Sequence, residues 1–153
     1  MTRVVFMCGP AGSGKSTVAR ALEAQGMVRL SIDQEAWGRG FRTMPLPDGV
    51  EASIASDLRR RLEELVAEER DVVLDFSFWS RRMRDEWRRV LAPWGIVPEV
   101  IHLATDREIC LRRVAERRTE SPDDFTLEPE VAARYFDQFE PPSTDEGPVT
   151  VLG

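Results

Sequence analysis

The sequence predicts an α/β fold, a parallel sheet with helices on both faces, and three observations predict it. Short runs that are wholly apolar alternate with longer amphipathic runs, and a strand without a polar face is one buried on both sides, as in parallel sheets. The first apolar run leads at once into a glycine-rich loop, residues 9–16 (GPAGSGKS), that opens a helical pattern. The third, 72–74 (VVL), ends in Asp75, at the carboxyl edge where such sheets bind ligands.

The elements follow in order. Residues 3–8 read as strand, 15–25 as helix, 27–31 as strand and 50–69 as a long amphipathic helix. After the strand at 72–74, Ser80 caps a helix through Leu91, 97–103 forms a strand, and Asp106 caps a helix to about Arg118. Residues 119–126 (TESPDDFT) break the pattern, a helix follows over 128–139, Pro141 and Pro142 end it, and 149–152 forms a last strand. Residues 38–49, with Gly40, Pro45, Pro47 and Gly49, read either as a mobile substrate flap or as a connecting loop.

A chain of 153 residues is the size of one domain, so a single domain is expected over 1–153, with a possible flap at 38–49 and a lid at 112–127. The first apolar stretch, 4–8, is too short for a signal-peptide core, and nothing requires a membrane; the expected compartment is the cytoplasm. Cys8 and Cys110, far apart and without companions, point to buried thiols and not to a disulfide or zinc site. The net charge of -6 disfavours a long nucleic acid as partner, because such affinity rests on clustered cations.

One compositional detail decides more than the averages. The 21 basic residues comprise a single lysine, Lys15, all others being arginine. A chain that elsewhere uses guanidinium has kept a compact ammonium at one place.

That place is the loop Gly9, Pro10, Ala11, Gly12, Ser13, Gly14, Lys15, Ser16, which fits G-x-x-x-x-G-K-[ST] between a strand and a helix, the context that makes the pattern a P-loop. Its backbone N–H groups, with Thr17 in the first helical turn, are expected to surround the phosphates of ATP at the positive end of the helix. Lys15 is expected to reach the terminal phosphates and Ser16 to ligate magnesium.

Asp33 follows the second strand, where a carboxylate can take the proton of an attacking hydroxyl or cap a short helix over residues 34–37. Asp75 can hold magnesium, usually through water, or position substrate, or serve the strand end structurally. Arg113 and Arg117 lie four apart on one helix face and can clamp a transferring phosphoryl group or remain solvated. His102, the only histidine, reads as a strand residue. Trp87 and Trp94 read as core, while Trp37 and Trp79 follow the two strand-end aspartates and can line a substrate pocket.

Together these residues resemble the P-loop kinase group that includes polynucleotide 5'-hydroxyl kinases, gluconate kinases and chloramphenicol phosphotransferases. The resemblance implies a three-layer P-loop NTPase fold with a five-stranded parallel sheet, Asp33 as base toward an acceptor hydroxyl, and Arg113 with Arg117 as lid arginines. The stretch Ser77-Phe78-Trp79-Ser80-Arg81-Arg82-Met83-Arg84-Asp85 is similar to the gluconate kinases' substrate-side S-A-L-x-x-x-Y-R-D segment, which places Arg84 at the substrate, and residues 137–146 are similar to their tail, implied near the adenine. Phe78, Trp79 and Met83 depart from that pattern, and Ala36 stands where polynucleotide kinases carry an arginine.

The expectation is therefore an ATP-dependent phosphotransferase acting on a small-molecule hydroxyl, with ATP and Mg2+ as cofactors. Its rivals are a nucleoside or polynucleotide 5'-hydroxyl kinase and a non-catalytic ATP-dependent switch; an acceptor cavity ringed by Asp33, Trp37 and Asp75 would speak against the switch.

Overall fold

The computed structural model describes residues 2–117, 121–123 and 125–153. Five strands form one sheet: β1 Val4–Cys8, β2 Val28–Ser31, β3 Val72–Asp75, β4 Glu99–Leu103 and β5 Val149–Leu152. All their pairings are parallel, in the order β2-β3-β1-β4-β5. The helices are α1 Lys15–Ala24, α2 Ile32–Gly38, α3 Val50–Ala67, α4 Arg81–Leu91, α5 Arg107–Ala115 and α6 Pro129–Gln138. The α/β fold with a five-stranded parallel sheet is thus as expected.

Strand β1 shows why both faces must be covered. Its five residues are all buried, and the period of two sends Val4, Phe6 and Cys8 into one apolar cluster and Val5 and Met7 into another. The first cluster takes the stripe Ile54, Leu58, Leu62 and Val66 of α3 with Trp87 and Leu91 of α4. The second takes Ala19 of α1. Each such aliphatic side chain removed from water contributes about 1.5–3 kcal/mol.

Ser80 caps α4 as expected, its hydroxyl accepting from Met83 N–H at 3.1 Å. Asp106 stands before α5 without a side-chain cap bond, and α5 ends at Ala115 instead of running to 118. Trp94 is a correction. It is 46% exposed, because the chain leaves α4 in a 3-10 turn at Ala92–Trp94, with Pro93 at its start, and no longer follows the helix's buried stripe.

Two irregular segments meet above the carboxyl ends of the strands. Within 38–49, Phe41, Met44 and Leu46 pack on the larger cluster, Thr43 bridges Thr126, and Arg39 bonds Ser53 and Asp57 at 3.1 and 2.5 Å. Of the span expected as a lid, residues 118–120 and 124 lie outside the described residues, Arg118 among them. Leu127 joins Val114 and Ala132 in a third small cluster that also receives Met44 and Ala11, so the two segments are seated on one another and on the P-loop. Among the described residues no helix is long and apolar enough to cross a membrane.

Candidate active site

The loop after β1 is held in place by backbone contacts. Gly9 N–H donates to Ser77 C=O at 3.1 Å and Ser13 N–H to Pro10 C=O at 3.1 Å, and Thr105 Oγ1 donates to Ser13 C=O at 2.8 Å. Gly12 is needed twice over. Its φ is +83°, and a Cβ there would lie 2.4 Å from the Cys110 carbonyl oxygen, so both backbone and space exclude a side chain. Helix α1 begins at Lys15 behind Gly14 with no side-chain cap and no acidic residue in its first turn, which leaves its positive end to an anion. Ser13 Oγ is buried with no partner among the described residues. Ser16 is half-buried in that first turn, and Thr17 is exposed, accepting from Arg20 at 3.5 Å.

Helix α2 begins at the end of β2, and its cap is Ser31, whose hydroxyl accepts from Gln34 N–H at 3.1 Å. Asp33 is therefore free of the capping role that its position also allowed. Burial pushes its carboxyl above the usual range; the Lys15 charge opposes this, Asp75 reinforces it, and Arg117 and Asp123 act in smaller measure.

Asp75 faces Ser31 across the β2–β3 register. Its Oδ2 accepts from Arg29 Nε and Nη2 at 3.0 and 2.5 Å, while Oδ1 is buried without a partner among the described residues. Arg29 also donates to Asp123 at 2.6 Å, and Asp123 accepts from Arg20 at 2.5 Å. Burial by itself would raise the Asp123 carboxyl, but the bonds and charges of Arg29 and Arg20 hold it below the usual range. Sequence reading missed Arg29, whose one signal is a charged residue inside an otherwise apolar strand that must be buried.

Arg113 Nη1 donates to the Gly12 carbonyl at 3.1 Å, against the P-loop backbone. Arg117 lies beyond the end of α5 and lines a cavity of about 310 Å³ together with Lys15, Asp33, Asp75 and Trp79. The cavity also takes residues that the sequence did not single out, Met44 to Leu46, Phe125 and Leu127, and Tyr135 of α6. For those outside α6 the common signal is an apolar side chain in a polar loop.

Two residues expected at the substrate are placed elsewhere. Trp37 does not line the cavity; its ring stands edge-on to Phe125 at 6.0 Å with the Arg42 guanidinium 3.7 Å above it. Arg84 is fully buried, donating to Glu146 at 2.7 Å, to Phe78 C=O at 2.6 Å and to Glu140 C=O at 2.9 Å. Its donors are spent tying residues 140–146 beneath the turn before α4, so none is left for a substrate. Burial would raise the Glu146 carboxyl, but Arg84, Ser143 N–H and Arg88 hold it down at about 2. His102 stacks on Phe139 at 5.9 Å, as a strand residue, and Cys8 and Cys110 are free and buried.

The magnesium expectation can be weighed on the donors present. Asp75 Oδ1, a buried carboxylate oxygen without a partner among the described residues, and the Ser16 hydroxyl suit an oxygen-seeking cation held by few protein ligands. No cluster of three or more His, Cys, Asp or Glu that could hold a metal occurs among the described residues, so the remaining ligands would come from water and phosphate.

The family model described as an AAA domain (AAA_33) matches residues 4–142, and the chain belongs to that family. No curated protein matches its sequence. Its fold is similar to that of a sugar kinase from Janibacter sp. HTCC2649, with a TM-score of 0.72 at 20% identity over 99% of this chain and 85% of that one. A gluconokinase from Sinorhizobium meliloti 1021 gives 0.66 at 21% identity over 98% and 81%. Chaetomium thermophilum Kti12, solved with ADP-AlF3, gives 0.66 at 18% identity over 98% and 88%.

Proposed function

We propose that the protein transfers the γ-phosphate of Mg-ATP to a hydroxyl group of a small molecule. One observation carries the reading: Asp33, a carboxylate with no capping duty, shares a cavity with Lys15 of the P-loop and with Arg117. The solved neighbours that are sugar kinase and gluconokinase support the same chemistry.

In this reading Asp33 accepts the proton of the acceptor hydroxyl while the acceptor oxygen bonds to the γ-phosphorus. The bond from that phosphorus to the β–γ bridging oxygen breaks, and ADP leaves with its electron pair. Lys15 and Arg117 neutralise the charge on the transferring group, and Arg113 braces the loop that carries Lys15. Ser16 and Asp75 would hold the magnesium ion, which supplies charge neutralisation at the phosphates. The enclosed space beside Asp33 favours an acceptor over a non-catalytic switch, although Trp37 is not part of its wall. Two buried free thiols fit the cytoplasmic setting we assign.

The test is Asp33→Asn. It should bind a non-hydrolysable ATP analogue as the parent does and lose roughly 10²- to 10⁴-fold in transfer rate, the usual worth of a positioned base. Transfer at the parental rate would remove Asp33 from the chemistry.

A further inference from the structure

Resting on that reading, the cavity wall also limits what the acceptor is. We infer that it is a compact alcohol with an apolar face and no negative charge.

The cavity lies on one side of the P-loop. Besides Pro10, Ala11 and Lys15 of the P-loop, its wall comes from the segments that follow β2 and β3, from the 44–46 stretch, from Arg117, Phe125 and Leu127, and from α6, while among the described residues the segments directly after β4 and β5 contribute nothing to it. It therefore flanks the phosphate loop over the β2–β3 half of the sheet, where Asp33 stands, and is the place of the acceptor.

Charge on the wall is lopsided once ATP is considered. Lys15 and Arg117 are the only cations lining it among the described residues, and the proposed reaction assigns both to the phosphates. The nearby arginines are engaged: Arg29 by Asp75 and Asp123, Arg84 by Glu146. What remains toward the acceptor is acidic, Asp33 and the exposed Glu51. A carboxylate or phosphate on the acceptor would meet like charge with no cation to answer it.

The wall also carries the apolar side chains Leu46, Phe76, Met83, Phe125 and Phe139, with Ser77, Gln138 and the hydroxyl of Tyr135 as its uncharged polar groups. The apolar part of this surface gains by covering hydrocarbon. A volume of about 310 Å³ is at the small end of ligand sites, which run from about 300 to 1,000 Å³, hence a compact body.

The experiment measures phosphate transfer from ATP to a panel of neutral aryl and alicyclic alcohols, led by phenylpropanol and cyclohexylmethanol. Para-carboxylated phenylpropanol, gluconate and a 5'-hydroxyl deoxyoligonucleotide are the contrasts, and the slow Lys15-dependent release of phosphate to water is followed alongside. Neutral apolar alcohols should be phosphorylated, with kcat/KM exceeding that of the carboxylated partner by about 100-fold or more. Leu46→Arg should shrink that preference at least ~10-fold while moving the KM for ATP less. The inference is overturned if gluconate, the oligonucleotide or the carboxylated alcohol is the better acceptor, or if no neutral alcohol is phosphorylated while phosphate release to water continues. Loss of that release itself, with Lys15→Ala no different from the parent, would instead sink the kinase reading beneath it.

Discussion

Arg29 grips one oxygen of the Asp75 carboxylate with two donors, and the other oxygen has no partner among the described residues. Both side chains are 1% exposed, so each charge depends on its partner for the solvation that water no longer gives.

Arg29→Gln should therefore destabilise the fold by about 3–5 kcal/mol, because it abandons a buried carboxylate. Asp123→Asn, which removes the outer, more accessible partner of the same guanidinium, should cost no more than about 1–2 kcal/mol. Urea unfolding of both variants checks this; equal losses would show that the Asp75 contact has no special weight.

Glu146 gives the fold an acid-sensitive contribution. Its folded carboxyl titrates at about 2, below its ordinary 4.5, so the stabilisation is fully present above pH 4.5 and is lost as pH falls toward 2. It amounts to something on the order of 3 kcal/mol. Glu146→Gln should be weaker than the parent at pH 7 and should show a flatter decline between pH 4.5 and 2; parallel curves in that window would contradict the assignment.

Asp33 carries the opposite sign. Burial raises its carboxyl, so above the ordinary range its ionised form works against folding, and transfer should fall on acidification at a pH above that of a free aspartate. Asp33→Asn should melt higher than the parent at pH 7 while losing activity. A lower melting temperature would mean that the charge is structurally supported.

Arg113 and Arg117 should separate in kinetics although they look alike in sequence. Arg117 lines the cavity, so Arg117→Ala should lower kcat roughly 10²- to 10³-fold with little change in nucleotide affinity. Arg113 bonds the Gly12 carbonyl, so Arg113→Ala should weaken nucleotide binding as well, through a loosened loop. Nucleotide titration beside steady-state rates distinguishes them; identical profiles would show one shared role.

What the sequence revealed and concealed divides along physical lines. The P-loop was legible because glycine is required where φ is positive and where Cys110 leaves no room for a Cβ. Strands β1 and β3 were legible because a buried parallel strand is apolar throughout. Arg84 was misread because its neighbour Glu146 lies 62 positions away, and only the folded tail brings them together. The apolar wall was hidden for the same reason, since Met44, Phe125 and Tyr135 belong to three separate segments. Asp33 was ambiguous until Ser31 was seen to take the cap.

Lys15 holds the only side-chain amine in the sequence and opens onto the cavity. Reagents that acylate such amines, and enzymes that acetylate or methylate them, find no other side chain to modify on a surface furnished with guanidinium groups. A nucleotide seated in the loop shields that amine, so the extent of its modification becomes a direct measure of how much of the protein is occupied.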